Sequence, residues 1–150
     1  AEWVGPYDDQ KLGFNKVAPF YYYPGWWEGG ADLEFFINKK AFDALSETNK
    51  AIVMAATKVA ARDMTTKYDA KNPIALKNLV AAGTKLMPFS KEVMDAGYKA
   101  AMEVFAEHEA KSPEFKKVHQ DMRAFQRDQI LWNRFSEFRY NSYMATLNNL

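Results

Sequence analysis

The chain has 150 residues, of which 48% are hydrophobic and 15% aromatic, enough to fold around one sizeable core. Its 20 basic and 19 acidic residues give a formal net charge of +1, without a block of like charge. This balance argues against a nucleic-acid-binding surface. The apolar runs are short and interrupted by charged residues, so the sequence predicts no segment that spans a bilayer.

The first third of the chain predicts two short strands joined by a glycine-rich loop. Val17 to Tyr23 is rich in aromatic residues and ends at the turn signal Pro24-Gly25. A loop then runs from Trp26 to Gly30. The apolar stretch from Leu33 to Asn38 has the length and composition of a second, buried strand.

Capping residues divide most of the remaining chain into predicted helices. Ser46 begins a helix whose apolar residues recur at helical spacing as far as Tyr68. Asn72-Pro73 provides a cap and a first-turn proline for a second, shorter helix, which Gly83 ends.

The last third of the chain predicts one more strand and two long helices. Lys85 to Phe89 predicts a short strand, and Ser90 caps the helix after it. Ser112-Pro113 opens the last helix, which no Pro or Gly interrupts, so we expect an unbroken helix as far as Leu147, about 50 Å long. A second apolar stripe on this helix either covers its own domain or docks against another lobe or subunit. The stripe consists of Leu131, Phe135 and Phe138.

Signatures of catalysis are absent from the sequence. It contains no cysteine, no GxSxG motif, no phosphate-binding P-loop and no GxGxxG motif. We expect His108 and His119 to be solvated surface residues too far apart to bind one metal ion. Glu109 is expected to be an ordinary solvated charge, and Asp8-Asp9 to lie in a turn or cap a segment.

Two glutamates stand out because they lie next to tryptophans. Glu2 and Trp3 belong to an apolar, strand-like segment, and Glu28 follows Trp26 and Trp27 in a loop. A carboxylate among large apolar rings is costly to bury unless a cation or a donor pairs with it. Two such glutamates and a backbone carbonyl would suit a hard cation such as sodium or calcium, whereas the alternative is an exposed glutamate beside a packed tryptophan.

Three stretches of the sequence closely resemble one protein family. They are EWVGPYDD (residues 2–9), YYPGWWE (residues 22–28) and KYDAKNP (residues 67–73). All three are similar to the substrate-binding subunits of tripartite ATP-independent periplasmic (TRAP) transporters, in the branch that binds 2-oxo acids and related monocarboxylates. This resemblance runs nearly the length of the chain.

The resemblance implies an α/β fold of the two-lobed periplasmic-binding-protein type. This chain would be only its C-terminal portion, helix-rich with a few strands and a long C-terminal helix. Residues 1–112 would form part of the C-terminal lobe, and residues 113–150 a helix for packing against a lobe or a dimer partner. The missing N-terminal half of the same protein would carry the arginine that pairs with the substrate carboxylate.

The resemblance also implies a function and a site. The protein would be a periplasmic binding protein and not an enzyme, would deliver a small organic acid such as pyruvate to the TRAP membrane permease, and would form a homodimer through the C-terminal helix. Glu2 and Glu28 would bind a sodium or calcium ion through carboxylate oxygens, and Trp3 through its backbone carbonyl. Trp26, Trp27 and Glu28 would contact the acid. Gly30 stands where relatives often carry a proline, a departure that bears on which acid is bound.

Other functions make different predictions. A non-catalytic helical interaction or structural module with an aromatic core would oligomerise without stabilisation by any ligand. A hydrolase that uses Glu2 and Glu28 as an acid and base pair would need one raised carboxylate pKa. A sugar-binding protein with stacked tryptophans would respond to neutral sugars and be indifferent to cations.

Overall fold

A computed structural model describes residues 2–25, 27, 30 and 33–147 of the chain. The described part is rich in helices and has two strands, and its elements follow each other in this order: α1 (Pro6–Leu12), a single 3-10 turn (Phe14–Lys16), β1 (Phe20–Tyr23), α2 (Lys39–Asp43), α3 (Glu47–Ala81), β2 (Lys85–Pro88), α4 (Lys91–Lys111), α5 (Pro113–Phe135) and α6 (Glu137–Met144). The chain divides into two compact units, Ala1–Asp95 and Ala96–Leu150, which we describe separately.

The first unit contains a parallel pair of strands. β1 pairs with β2 in the register that runs from Phe20 opposite Lys85 to Tyr23 opposite Pro88. Two further backbone bonds, one at each end, extend this pairing, because Lys85 N–H donates to the carbonyl of Pro19 and Phe89 N–H to that of Tyr23, both at 2.8 Å. Parallel strands need a long crossover connection, which α2 and α3 provide here. Both strands lie within the stretches for which strands are predicted.

The strand predicted from Leu33 to Asn38 is wrong. These residues have no regular secondary structure, and the side chain of Phe36 is 88% exposed. A strand is held by backbone hydrogen bonds to a neighbouring strand. Among the described residues, β1 and β2 pair with each other, and residues 33–38 are not part of this sheet. Asn38 instead caps α2, since its side chain accepts the N–H of Ala41 at 3.1 Å.

Helix α3 confirms the predicted start and end but contradicts the predicted break. Ser46 caps it by accepting the N–H of Asn49 at 3.2 Å. Gly83, at φ +96°, ends it, with the N–H groups of Gly83 and Thr84 bonded to carbonyls of the last turn. The helix continues through Pro73, although a proline here removes one backbone donor. The side chain of Asn72, expected to cap a new helix, instead accepts a bond from α1.

The core of the first unit lies where the end of α3 packs against α1. The side chains of Ala75 and Leu79 are 2% and 1% exposed, and both lie in the last two turns of α3. Helix α1 lies against this part of α3, so α3 supports the short helix that follows the start of the chain.

In the second unit, the last helix begins where predicted and ends early. Ser112 accepts the N–H of Phe115 at 3.1 Å and so caps α5. The predicted unbroken helix to Leu147 is wrong, because α5 ends at Phe135 and α6 follows after Ser136. The Ser136 hydroxyl donates to the carbonyl of Trp132 at 2.9 Å, and such bonds bend helices without any Gly or Pro.

The expectation that His119 and Glu109 are solvated surface residues is wrong. His119 is 9% exposed, and its Nδ1 lies 2.6 Å from Oε1 of Glu109. The ring of His119 contacts those of Phe105 and Phe115, with centroids 4.5 Å and 5.7 Å away. The sequence pattern misses this pair because α4 and α5 pack against each other at their connected ends. His108 is exposed, as predicted. Within the described ranges, we find no helix long and apolar enough to cross a membrane.

Candidate functional site

Glu2 and Trp3 precede α1 by two residues, Val4 and Gly5, and lack the strand-like conformation that the sequence predicts. Both side chains are exposed, that of Trp3 by 55%. The ring of Trp3 still has a place in the fold, because it lines a small cavity of about 60 Å³ between the start of the chain and β1. The other residues around this cavity are Asp9, Phe14, Asn15, Ala18, Phe20, Tyr21 and Leu79.

Asp9 is a buried carboxylate at the same cavity. It is 6% exposed, and the hydroxyl of Tyr21 donates to one of its oxygens. Its other oxygen is buried and has no hydrogen-bond partner among the described residues. Burial raises the pKa of Asp9, the bond from Tyr21 opposes this, and the charges of Asp8 and Glu2 raise the pKa further. Asp8 and Glu2 therefore both disfavour the charged form of Asp9.

The burial of Asp9 is the feature of this region that the sequence prediction misses. Asp8 and Asp9 lie in the first turn of a helix, not in a turn or cap. Pro6 at the first helical position, followed by two acidic residues, is the sequence signal that could have predicted this helix.

Three side chains from one stretch of α3 contact the first turn of α1. Asn72 Oδ1 accepts the backbone N–H of Tyr7 at 3.1 Å, and the hydroxyl of Tyr68 donates to Asp8 at 2.5 Å. Lys71 Nζ donates to the hydroxyl of Tyr7 at 3.0 Å. The KYDAKNP stretch therefore holds α1 in place through contacts that span 60 to 65 positions in the sequence.

Two lysines surround Tyr7 and change its acidity. The ammonium groups of Lys11 and Lys71 lie 4.2 Å and 4.6 Å from the centre of the Tyr7 ring. They lower the pKa of Tyr7 to about 8, Lys11 more strongly than Lys71, because both favour the phenolate. Tyr68 behaves in the opposite way, since the bond from its hydroxyl to Asp8 raises its pKa.

The loop predicted to carry the second half of the site is described only in part. Trp26 and Glu28 lie outside the described residues, whereas Trp27 is described and is 48% exposed. Gly30 and Leu33, just beyond, line a cavity of about 380 Å³ together with Val4. The remaining lining residues all come from α3 and are Met64, Thr65, Tyr68, Asp69 and Asn72. The structure thus brings the segment that follows Glu2-Trp3 and the end of the WWEGG loop to one cavity on α3.

The described part of the chain is predicted to contribute ligands to a cation. Across residues 2–25, 27, 30 and 33–147, no three His, Cys, Asp or Glu side chains come together in a way that could hold a metal ion. The chemistry of the donors at Glu2 and Trp3, a carboxylate and a backbone carbonyl, nevertheless fits a hard cation.

Comparison with known proteins identifies the family. Residues 1–112 match the bacterial extracellular solute-binding proteins of family 7. The chain is 44% identical over 146 residues to a monocarboxylate 2-oxoacid-binding periplasmic protein of Nostoc sp. (strain PCC 7120), covering 97% of this chain and 40% of that protein. It is also similar to the crystal structure of a TRAP transporter solute-binding protein from Bordetella bronchiseptica RB50, with 45% identity and a TM-score of 0.89 over 96% of this chain and 43% of that one.

The chain belongs to family 7 of the bacterial extracellular solute-binding proteins. The fold class predicted from the sequence is confirmed, since the helix-rich chain with two parallel strands matches part of a TRAP solute-binding protein. Proteins of this family are extracytoplasmic binding proteins and not enzymes, which removes the hydrolase alternative. The chain spans about two-fifths of the length of the relatives it matches.

Proposed function

We propose that the whole protein is the periplasmic subunit of a TRAP transporter, which captures a 2-oxo acid such as pyruvate, or a related monocarboxylate, and delivers it to the membrane permease. The observation that carries this proposal is the family match over residues 1–112, a range that includes every proposed site residue. In the fold, Val4 of the EWVG segment and Gly30 of the WWEGG segment line one cavity with residues of α3. Sequence similarity adds the ligand class, because the Nostoc relative is named for monocarboxylate 2-oxoacids.

A bound cation is part of this proposal. Glu2 and Glu28 would bind it through carboxylate oxygens and Trp3 through its backbone carbonyl, while Trp26, Trp27 and Glu28 would contact the acid. The charge of Glu2 contributes to the raised pKa of Asp9, and a carboxylate at this position favours a cation next to the segment. When bound, a cation offsets the repulsion between acidic side chains and an anionic ligand. We favour calcium over sodium because the Bordetella protein holds copurified calcium together with picolinate.

We also propose two protein partners, the N-terminal half of the same protein and a second copy of the chain. An N-terminal half of the same protein would complete the site and supply the arginine that pairs with the acid. The proposed homodimer uses residues 113–150, whose stripe of large apolar side chains is exposed in the second unit. Leu131, Phe135 and Phe138 are 64%, 81% and 61% exposed. The Bordetella structure is described as a mixed-occupancy dimer.

A thermal-shift panel on the full-length protein tests the proposed function. The panel contains pyruvate, longer 2-oxo acids, lactate and neutral sugars, each with calcium, with sodium and after chelation. We expect one 2-oxo acid to raise the melting temperature with calcium present, because a ligand at about 100 times its Kd stabilises the folded state by about 2.7 kcal/mol. Stabilisation by neutral sugars, or by no compound under any condition, contradicts the proposal. The second result would favour the helical interaction module.

A further inference from the structure

Helix α1 lacks a cap from its own N-terminal residue. Gly5 occupies the capping position and has no side chain, and its φ of +150° is a conformation that favours glycine. Pro6, the first helical residue, has no N–H. The first free backbone donor of the helix is therefore the N–H of Tyr7, which needs an acceptor from elsewhere in the structure.

Asn72 supplies this acceptor from the middle of α3. Its Oδ1 accepts the N–H of Tyr7 at 3.1 Å, the bond that a capping side chain normally makes within its own helix. The same side chain packs against Gly5, since a Cβ atom built there would lie 3.6 Å from Oδ1. Tyr68, one turn earlier on α3, fixes the neighbouring residue Asp8 by its hydroxyl.

We propose that Asn72 is a positioning residue for the cation site, because its cap on α1 fixes where Glu2 and Trp3 present their oxygen atoms. Three residues, Val4, Gly5 and Pro6, separate Trp3 from the amide that Asn72 holds. Asn72 therefore holds the chain on α3 at Gly5 and Tyr7, directly after the segment that contains Glu2 and Trp3. This inference rests on the proposed function, as it concerns the same Glu2 and Trp3.

The test is a calorimetric calcium titration of the full-length protein and three variants. Asn72→Leu keeps the size of the side chain and removes the acceptor, whereas Asn72→Asp keeps an acceptor oxygen. Asn78→Leu is the matched control, at an exposed position of the same helix. We expect Asn72→Leu to raise the Kd for calcium about tenfold, the scale on which supporting residues act on metal affinity. Asn72→Asp and Asn78→Leu should remain close to the wild-type Kd.

The outcomes separate this inference from the proposed function. If the folded Asn72→Leu protein keeps the wild-type Kd and loses only melting temperature, Asn72 is structural and the inference is overturned. If the wild-type protein binds no calcium, the proposed function fails and the inference fails with it. Should Asn72→Leu not fold, Asn72→Ala takes its place, because it removes the same acceptor without adding an apolar group next to α1. A several-fold rise in its Kd supports the positioning role, and an unchanged Kd overturns it.

Discussion

Replacing Glu2 by Gln in the full-length protein is expected to weaken calcium binding by at least about hundredfold, because losing a direct ligand should cost at least as much as losing an outer-shell partner, which costs about ten- to hundredfold. The amide keeps the shape of the side chain and one oxygen but removes the charge that a hard cation requires. Asp8 and Asp9 cannot replace this charge, because Asp8 is bonded to Tyr68 and Asp9 is buried against Tyr21. Calcium titration by calorimetry, with and without pyruvate, measures the effect.

Glu103→Gln is the control for this experiment, since Glu103 lies exposed on α4 and forms only a long ion pair of 4.0 Å with Lys99. Surface pairs of this kind contribute little, so its variant should bind calcium like the wild type. Glu28→Gln should act in the same direction as Glu2→Gln under the proposed function. An unchanged Kd in Glu2→Gln would remove Glu2 from the site and leave the calcium to other ligands.

Replacing Tyr21 by Phe is expected to reduce the free energy of unfolding by about 2–3 kcal/mol at neutral pH, the cost of leaving a buried charged group without its donor. The Tyr21 hydroxyl is the hydrogen-bond donor to the buried carboxylate of Asp9. Without it, both oxygens of Asp9 would be desolvated and unpaired. Tyr22→Phe is the matched control, because Tyr22 is exposed and its ring stacks on Phe89, a contact that phenylalanine keeps.

The effect of Tyr21→Phe should depend on pH in a defined direction. The pKa of Asp9 is raised in the folded state, chiefly by burial, so the folded protein binds a proton more readily than the unfolded chain. Protonation of Asp9 therefore adds to the free energy of unfolding. This contribution is fully present below the unfolded-state pKa and is lost as pH rises through the folded-state pKa. The loss in Tyr21→Phe should therefore be larger at about pH 7 than at about pH 4, because lower pH increases the neutral fraction of Asp9 and a neutral carboxyl depends less on its donor.

Urea denaturation of the full-length protein and both variants, at the two pH values, measures this difference. An equal loss at both values would mean that the Tyr21 hydroxyl does not act through the charge of Asp9. Adding Asp9→Asn to Tyr21→Phe gives a second check, since an uncharged amide should remove most of the pH dependence.

The helix ends could be predicted from the sequence because each depends on a few neighbouring residues. The capping bonds join groups that lie within four positions of the capping residue, so a short stretch of sequence is enough to predict them. The capping residues are Ser46, Ser112 and Gly83. Pro73 and Ser136 show the limit of this reasoning. The Asn72 side chain that would have started a new helix bonds to α1 instead, and a serine hydroxyl, without any Gly or Pro, marks the end of α5.

Features that depend on distant partners could not be predicted in the same way. The apolar stretch from Leu33 to Asn38 has strand composition, but composition does not tell whether a neighbouring strand is available to pair with it. The burial of Asp9 depends on Tyr21 in β1, and that of His119 on Glu109 in the preceding helix. Neither pair has a spacing that a helical or strand period would reveal.

In the candidate site, too, the local motifs could be predicted from the sequence, whereas the long-range contacts could not. The EWVG, WWEGG and KYDAKNP segments are recognisable in the sequence, but the role of the third becomes visible only in the fold. Its residues Tyr68, Lys71 and Asn72 hold the helix that follows Glu2 and Trp3. Sequence resemblance therefore supplies the proposed ligands, and the structure supplies the contacts that would keep them in place.

The most direct test of the proposed site is a crystal structure of the full-length protein grown with calcium and pyruvate, with the metal located by its anomalous scattering. We predict one calcium ion bonded to a Glu2 carboxylate oxygen, the Trp3 carbonyl and Glu28, at about 2.3–2.6 Å, with the pyruvate carboxylate beside it. A calcium ion bound elsewhere, with Glu2 and Glu28 facing solvent around bound pyruvate, would contradict cation-assisted capture at this site.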